Sequence, residues 1–89
     1  MATFYQVYLK PKSGVGYAEI REKMDLALDW YKYAENCWIL KSMSTPEKLY
    51  TRLKTLVEPD GELFICKLDV SQSQGWMSKK LWAWLRKSS

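Results

Sequence analysis

The chain has 89 residues, of which 47% are apolar and 15% aromatic, and its formal net charge is +4. This length corresponds to one domain, and the core of so small a domain cannot hide five Trp and six Tyr side chains. Some rings are therefore expected on the outside, at a partner, or across a self-association interface. The sequence contains no His, which excludes His-based nucleophile activation and the common His metal sites.

The sequence predicts a cytoplasmic protein without a cofactor or a bound metal. No apolar run approaches the roughly 18 residues of a membrane span, and the N-terminus enters a strand pattern without an apolar leader. Cys37 and Cys66 lie in predicted strands and are expected to be structural thiols, because a disulfide is disfavoured in a reducing compartment. Two Cys without a His do not make a zinc site.

Alternation of side-chain character predicts the first strand over Thr3–Lys10, with Tyr5, Val7 and Leu9 facing inward. A loop containing Pro and Gly follows. Apolar residues then recur at helical spacing across Tyr17–Leu28, which predicts the first helix.

A β-hairpin is predicted at the centre of the chain. Its strands, Trp30–Ala34 and Cys37–Ser42, meet at Glu35 and Asn36. Two residues between apolar runs are the spacing of a tight hairpin, and Asn tolerates the positive φ that such turns need. With helical patterns on both sides of it, the hairpin predicts the element order β-α-β-β-α-β.

The second helix has several start signals. Ser44 and Glu47 fit a capping box, and Pro46 stands where its missing N–H costs nothing. A Pro- and Gly-containing turn stops the helix, and Glu62–Val70 is the predicted last strand. The apolar stripe of this helix consists of Leu49, Leu53, Leu56 and Val57.

Residues 71–89 form a basic tail after a core of residues 1–70. The core holds ten Lys and Arg against ten Asp and Glu, so the whole excess charge lies on the tail. A helix is predicted there, with Ser78 as its N-cap and Leu81, Trp84 and Leu85 as its apolar seam. Trp82 is expected to point about 100° away from that seam. Two interpretations stay open: the helix is a lid on its own domain, or it contacts a partner.

Nucleic acid is the favoured ligand of the tail, because indole rings stack on bases and cations hold phosphates.

No catalytic residue is predicted. Asp25 and Asp29 are one helical turn apart in the predicted helix, but a solvated helix face explains them. A membrane-bound helix is disfavoured, since about ten residues with four charges insert little apolar surface. The predicted binding residues are Tyr8, Lys10, Lys12, Trp76, Lys79, Lys80, Trp82, Arg86 and Lys87.

Several segments together carry a resemblance to a known family. They are Phe4–Leu9 before a Lys-Pro turn, Trp30-Tyr31, Cys37–Lys41, Pro46–Leu49, Gly75–Met77 and Leu81–Leu85. In these segments, which span nearly the whole chain, the sequence resembles the small ferredoxin-like proteins of the SinR family. That family is related to the CRISPR spacer-acquisition dimer subunit and to the VapD-type toxins.

The resemblance implies an α+β ferredoxin-like sandwich with a C-terminal Trp-rich helix, which forms a homodimer through its sheet. Nuclease members of the group hold a divalent metal with an Asp at the end of the first strand, and Leu9 occupies that position here. The expected function is therefore that of a non-catalytic homodimeric binding module. Two alternatives stay open: a protein-binding adaptor or inhibitor in phage defence or counter-defence, and a metal-dependent ribonuclease toxin.

Overall fold

The computed structural model describes residues 2–88, which form a four-stranded antiparallel sheet and three α-helices. The chain is therefore a small α+β protein. The strand order across the sheet is β2-β3-β1-β4. The strands are β1 (Thr3–Lys10), β2 (Asp29–Ala34), β3 (Cys37–Ser42) and β4 (Glu62–Leu68). The helices are α1 (Tyr17–Met24), α2 (Pro46–Leu53) and α3 (Lys79–Ser88), and short 3-10 turns follow α2 at Lys54–Leu56 and β4 at Val70–Gln72.

Strand β1 is central and pairs with β3 on one side and β4 on the other. Its predicted bounds are confirmed, and so is its inward face, because Tyr5, Val7 and Leu9 are all buried. We call this side of the sheet the helix-pair face, since α1 and α2 pack on it. The main core lies there and contains Tyr5, Val7, Leu9, Ile20, Met24, Trp38, Leu40, Leu49, Leu53, Leu56 and Val57.

The central hairpin is confirmed, and β2 begins one residue earlier than predicted, at Asp29. Asn36 has φ = 61°, the left-handed conformation that Asn tolerates better than most residues. Its carbonyl also accepts a hydrogen bond from the backbone N–H of Leu9 at 2.8 Å, which ties the turn to β1.

Helix α1 is shorter than predicted and ends at Met24 instead of Leu28. The chain turns over residues 25–28 to enter β2, and the backbone N–H of Leu28 bonds to the carbonyl of Lys41 in β3 at 2.9 Å. The side chain of Leu28 is 60% exposed, so its place on the apolar stripe of the helix was predicted wrongly.

The cap of α2 is Thr45, not Ser44. The Thr45 hydroxyl accepts a hydrogen bond from the backbone N–H of Lys48 at 3.3 Å, because Pro46 already occupies the first helical position. The hydroxyl of Ser44 instead accepts from the guanidinium of Arg52 at 3.2 Å. The four residues of the predicted apolar stripe are all buried, but only Leu49 and Leu53 lie in α2, since Leu56 belongs to the following 3-10 turn and Val57 comes directly after it.

Strand β4 starts from a crowded turn and ends two residues before the predicted limit. A Cβ at Gly61 would lie 2.3 Å from the carbonyl oxygen of Lys10 and 2.9 Å from that of Val57, so only Gly fits. At the other end, the carboxylate of Asp69 accepts from the backbone N–H of Ser71 at 3.1 Å, which starts the 3-10 turn.

Helix α3 packs on the opposite side of the sheet, which we call the α3 face. There Ile39, Leu81 and Leu85 form a second, smaller buried cluster. Partly buried apolar residues surround it: Phe4, Tyr31, Tyr33, Leu68, Val70, Trp82 and Trp84. The sheet thus lies between two helical layers. Over residues 2–88, the helices are too short and too polar to cross a membrane.

Candidate nucleic-acid interface

Helix α3 is capped at its start and bonded to the sheet at its end. At its start, the predicted N-cap is confirmed, because the Ser78 hydroxyl accepts from the backbone N–H of Leu81 at 3.2 Å. At its end, the ammonium group of Lys41 donates to the carbonyl of Ser88 at 2.6 Å. A cation at a helix C-terminus also complements the helix dipole. The predicted binding residues of α3 are therefore carried on an ordered helix.

Trp84 joins α3 to the sheet through its ring and its indole N–H. The ring packs edge-on against Phe4, with centroids 6.0 Å apart, and lies 5.7 Å from the ring of Tyr31. Its N–H donates to the carboxylate of Asp29 at 3.0 Å. For the seam of Leu81, Trp84 and Leu85, the structure therefore supports the lid interpretation.

Asp25 and Asp29, which were predicted to be one helical turn apart, instead follow the end of α1 and begin β2, and both accept from indole N–H groups. Asp25 accepts from the indole N–H of Trp30 at 2.8 Å, and Asp29 accepts from Trp84 as well as from the backbone N–H of Trp30 at 2.8 Å. Each carboxylate thus orients a ring at the boundary between sheet and helix. Sequence reasoning treated both as a solvated face and missed these partners. The bond between Asp29 and Trp84 forms only when α3 packs on the sheet, because the two residues are 55 positions apart.

The outward side of α3 carries four cations and no acidic residue, and we call it the basic face. At 100° per residue, its four cations and Ala83 fall within an arc of about 120°, and they span about 12 Å along the helix axis. All are exposed, whereas Leu81, Leu85 and Ser88 on the opposite side are buried. No acidic residue follows Asp69 in the sequence, so nearby carboxylates of the tail do not offset this charge. The cations are Lys79, Lys80, Arg86 and Lys87.

Trp76, not Trp82, is the freely accessible indole of the tail. Trp76 is 98% exposed. Trp82 is half-buried against the small cluster under α3, and its ring lies 3.9 Å from the Cβ position of Gly75 in the linker. Although Trp82 lies about 100° from the seam of Leu81, Trp84 and Leu85, it is partly buried, because its ring packs at the edge of the cluster under α3 and the linker approaches it.

The predicted binding residues of β1 lie apart from the basic face. Tyr8 is four residues, or about 13 Å, along the strand from Phe4, the β1 residue that Trp84 contacts. The Tyr8 hydroxyl donates to the carboxylate of Glu62 at 3.0 Å, and this bond, with desolvation, raises the pKa of Tyr8. Lys10 stands opposite Glu62 in the β1–β4 register.

Lys12 lies in the loop that joins β1 to α1, and this loop is hydrogen-bonded to the segment after α2. Its backbone N–H donates to the carbonyl of Leu56 at 2.8 Å. The hydroxyl of Ser13 donates to Asp60 at 2.9 Å, and this bond, with the charge of Lys12, lowers the pKa of that carboxyl group. The structure therefore divides the predicted binding residues into a tail group and a group at the end of β1.

Leu9, which the resemblance to the SinR family sets at the position of the nuclease members' Asp, lies inside the main core. Leu9 has no exposed surface and packs among the residues of the helix-pair face. Within residues 2–88, no three His, Cys, Asp or Glu side chains cluster closely enough to hold a metal ion.

The two thiols differ in exposure. Cys37 is half-buried, whereas Cys66 is exposed, which corrects the expectation of a buried thiol in β4. The reason is the face on which Cys66 lies: it stands opposite Gln6 on the α3 face, beyond the part of that face which α3 covers. Both cysteines are free thiols.

Fold and surface together define a small α+β domain that carries an exposed basic helix on one face of its sheet. No family model, no curated protein and no solved structure matches the chain. The relationship to the SinR family therefore stays a prediction.

Proposed function

We propose that this chain is a non-catalytic homodimeric binding module of the ferredoxin-like type, which binds nucleic acid through the basic face of α3. The observation that carries the proposal is the arrangement of the tail: four exposed cations share one side of an ordered helix, and a fully accessible indole precedes them. Cations and a stacking ring are the two components of surfaces that bind single-stranded nucleic acid without sequence preference.

The topology supports the ferredoxin-like part of the proposal. The order β1-α1-β2-β3-α2-β4, with β1 central in the sheet, is that of a split β-α-β unit. The same order is what membership in the SinR family requires, and we propose that relationship on this ground together with the segments quoted above. The two free thiols agree with a protein that acts in the reducing cytoplasm.

The physical basis of binding would be the release of counterions from phosphates. Each Lys or Arg that neutralises a phosphate makes log K fall with log salt by about 0.7 to 0.9. Four contacts from Lys79, Lys80, Arg86 and Lys87 give a slope of about −3 per helix. Trp76 adds stacking on a base, which tolerates any sequence because every base has a π-face.

Salt titration of binding tests the proposal. Labelled single-stranded DNA, double-stranded DNA and RNA are titrated with protein from about 50 to 200 mM salt, and anisotropy reports the affinity. The double variant Lys79→Gln/Arg86→Gln should make the slope of log K against log salt less negative by about 2, since each lost phosphate contact removes about 1. The control Arg21→Gln/Lys48→Gln removes the same charges from exposed positions on α1 and α2 and should keep the slope.

Two results would overturn the proposal. One is an absence of binding to all three nucleic acids at micromolar protein. The other is an equal loss of affinity in the two double variants, because general charge, and not the basic face, would then explain binding. Binding of a protein partner with a flat salt response would favour the adaptor alternative instead.

A further inference from the structure

The two outer edges of the sheet differ in how they are protected. At β2, Lys32 points towards the helix-pair face, with its ammonium group 4.9 Å from the ring of Tyr17 and 5.2 Å from that of Trp38. The pairing of β2 with β3 is irregular between Lys32 and Ala34. Each outer strand also has a helix packed against it, α3 on β2 and α2 on β4, so the helices do not distinguish the two edges. An inward-pointing charge and a bulge are both devices by which edge strands avoid pairing with another chain.

Strand β4 has no such device at its centre. Among residues 2–88, β1 is its sole strand partner, and that register runs unbroken from Phe4 opposite Leu68 to Lys10 opposite Glu62. β4 contains no Pro, and its charges, Glu62 and Lys67, lie near its ends. The central residues 63–66 are uncharged, and the ring of Phe64 is 61% exposed. A flat apolar edge of this kind is a template for pairing with another strand.

Beside this edge runs a groove of about 400 Å³ between α2 and β4. Its floor includes Leu63 and Ile65, which pack against the main core from β4. Tyr50, 47% exposed, lines the groove from α2. Apolar surface therefore lies next to the β4 edge on the helix-pair face, while Phe64 provides it on the α3 face.

The sequence of β4 is complementary to itself in one antiparallel register. With a two-fold axis at Phe64, the two Phe64 rings are neighbours on the α3 face, and Leu63 faces Ile65 of the second copy on the helix-pair face. Lys67 then stands opposite Gly61, next to Asp60 of the other copy. Moving the axis to Ile65 would put Lys67 opposite Leu63 twice, so the first register is favoured.

From these observations we infer that β4 is the self-association edge, along which a second copy of this chain adds its own β4 to give a continuous eight-stranded sheet. The inference deepens the homodimer part of the proposed function and rests on it. A two-fold axis perpendicular to the sheet keeps each face on its own side. Both α3 helices therefore lie on one side of the dimer, where a single nucleic acid can contact both basic faces.

Solution mass tests the edge. Sedimentation equilibrium should give a dimer for the natural chain. Phe64→Glu should raise the dissociation constant of this dimer at least tenfold, because two like charges then face each other across the axis. Leu26→Glu is the matched control: Leu26 is 63% exposed, close to the value for Phe64, but lies in the turn after α1. Urea unfolding of both variants confirms that each is folded.

A monomeric natural chain at tens of micromolar, or a dimer that Phe64→Glu leaves intact, would overturn the inference. Cross-linking tests the register independently. In a Cys37→Ser/Cys66→Ser background, Phe64→Cys should be joined to its own copy by a short bismaleimide, whereas Leu26→Cys should not. Failure of Phe64→Cys to cross-link in a dimeric preparation would rule out an axis at this residue.

These tests separate the edge from the basic face. If the Phe64→Glu monomer binds nucleic acid with the salt slope of one helix, both the interface and the proposed ligand stand. A dimer that Phe64→Glu dissociates but that binds no nucleic acid leaves the interface standing and overturns the ligand. A monomeric natural chain whose affinity for nucleic acid falls steeply with salt overturns the interface and leaves the proposed ligand standing.

Discussion

The two faces of the sheet are covered to very different depths. On the helix-pair face, eleven buried residues from β1, β3, α1, α2 and the segment after α2 form the main core. On the α3 face three residues are buried, and the rest of the contact comes mainly from half-buried aromatic rings. The first layer depends on close packing, whereas the second depends on aromatic edges and on hydrogen bonds from Trp84 and Lys41. The proposed binding surface thus lies on the more weakly attached layer.

The largest effect is expected in the main core. Trp38 is 1% exposed, so Trp38→Ala should lower the free energy of unfolding by about 3 to 5 kcal/mol through lost burial and the cavity left behind. A domain of this size has roughly 5 to 10 kcal/mol in total, so the variant should be near its unfolding threshold. Urea denaturation followed by far-UV circular dichroism measures the change. A loss under 1 kcal/mol would contradict the assignment of Trp38 to the core.

A smaller, more local effect is expected at Trp84. Trp84→Ala removes two aromatic contacts and the bond to Asp29, which together predict a loss of about 2 kcal/mol. Hydrogen exchange should show faster exchange for α3 amides, while β1 amides stay protected. An equal loss of hydrogen-exchange protection in β1 would mean that the two layers unfold as one unit, which would contradict a more weakly attached α3 layer.

The C-terminal attachment of α3 should contribute less. Lys41→Met removes the bond to the carbonyl of Ser88 and the favourable charge at the helix end, so a loss of about 1 kcal/mol is expected. Lys48→Met, at an exposed position on α2, is the control and should change stability by less than about 0.5 kcal/mol. Trypsin should cleave the tail of the Lys41 variant faster than that of the control. Equal cleavage rates would show that this bond does not hold α3.

The smallest effect on stability is expected at the exposed indole. Trp76→Ala should change the free energy of unfolding by less than about 0.5 kcal/mol, because the ring is 98% exposed. Its binding to single-stranded nucleic acid should weaken by roughly 5- to 100-fold, the value of one stacked base. Trp82→Ala should instead lose stability, since its ring is half-buried. If Trp76→Ala binds as tightly as the natural chain, stacking by this ring is excluded.

Much of the main core was predictable, because local signals and tertiary packing agree there. Alternation in β1 placed Tyr5, Val7 and Leu9 inside, and helical spacing in α2 placed Leu49 and Leu53 there as well. The contacts that the sequence did not predict include those in which a residue's partner is distant in sequence. Asp29 and Trp84 are 55 residues apart, and no local pattern indicates that one carboxylate will accept the other's indole N–H.

Sequence alone determined the element order, the hairpin with Asn36 at its turn, and the concentration of cations on the tail, because these follow from local spacing and composition. Tertiary structure decided which tail rings are accessible. Trp76 and Trp82 are the same residue type six positions apart, but only Trp82 meets the cluster under α3. The packing of α3 on the sheet also determined which surfaces stay accessible. It turned the four cations of α3 to solvent, and it left the edge of β4 uncovered. Burial depends on which surfaces meet, and that is a property of the whole fold.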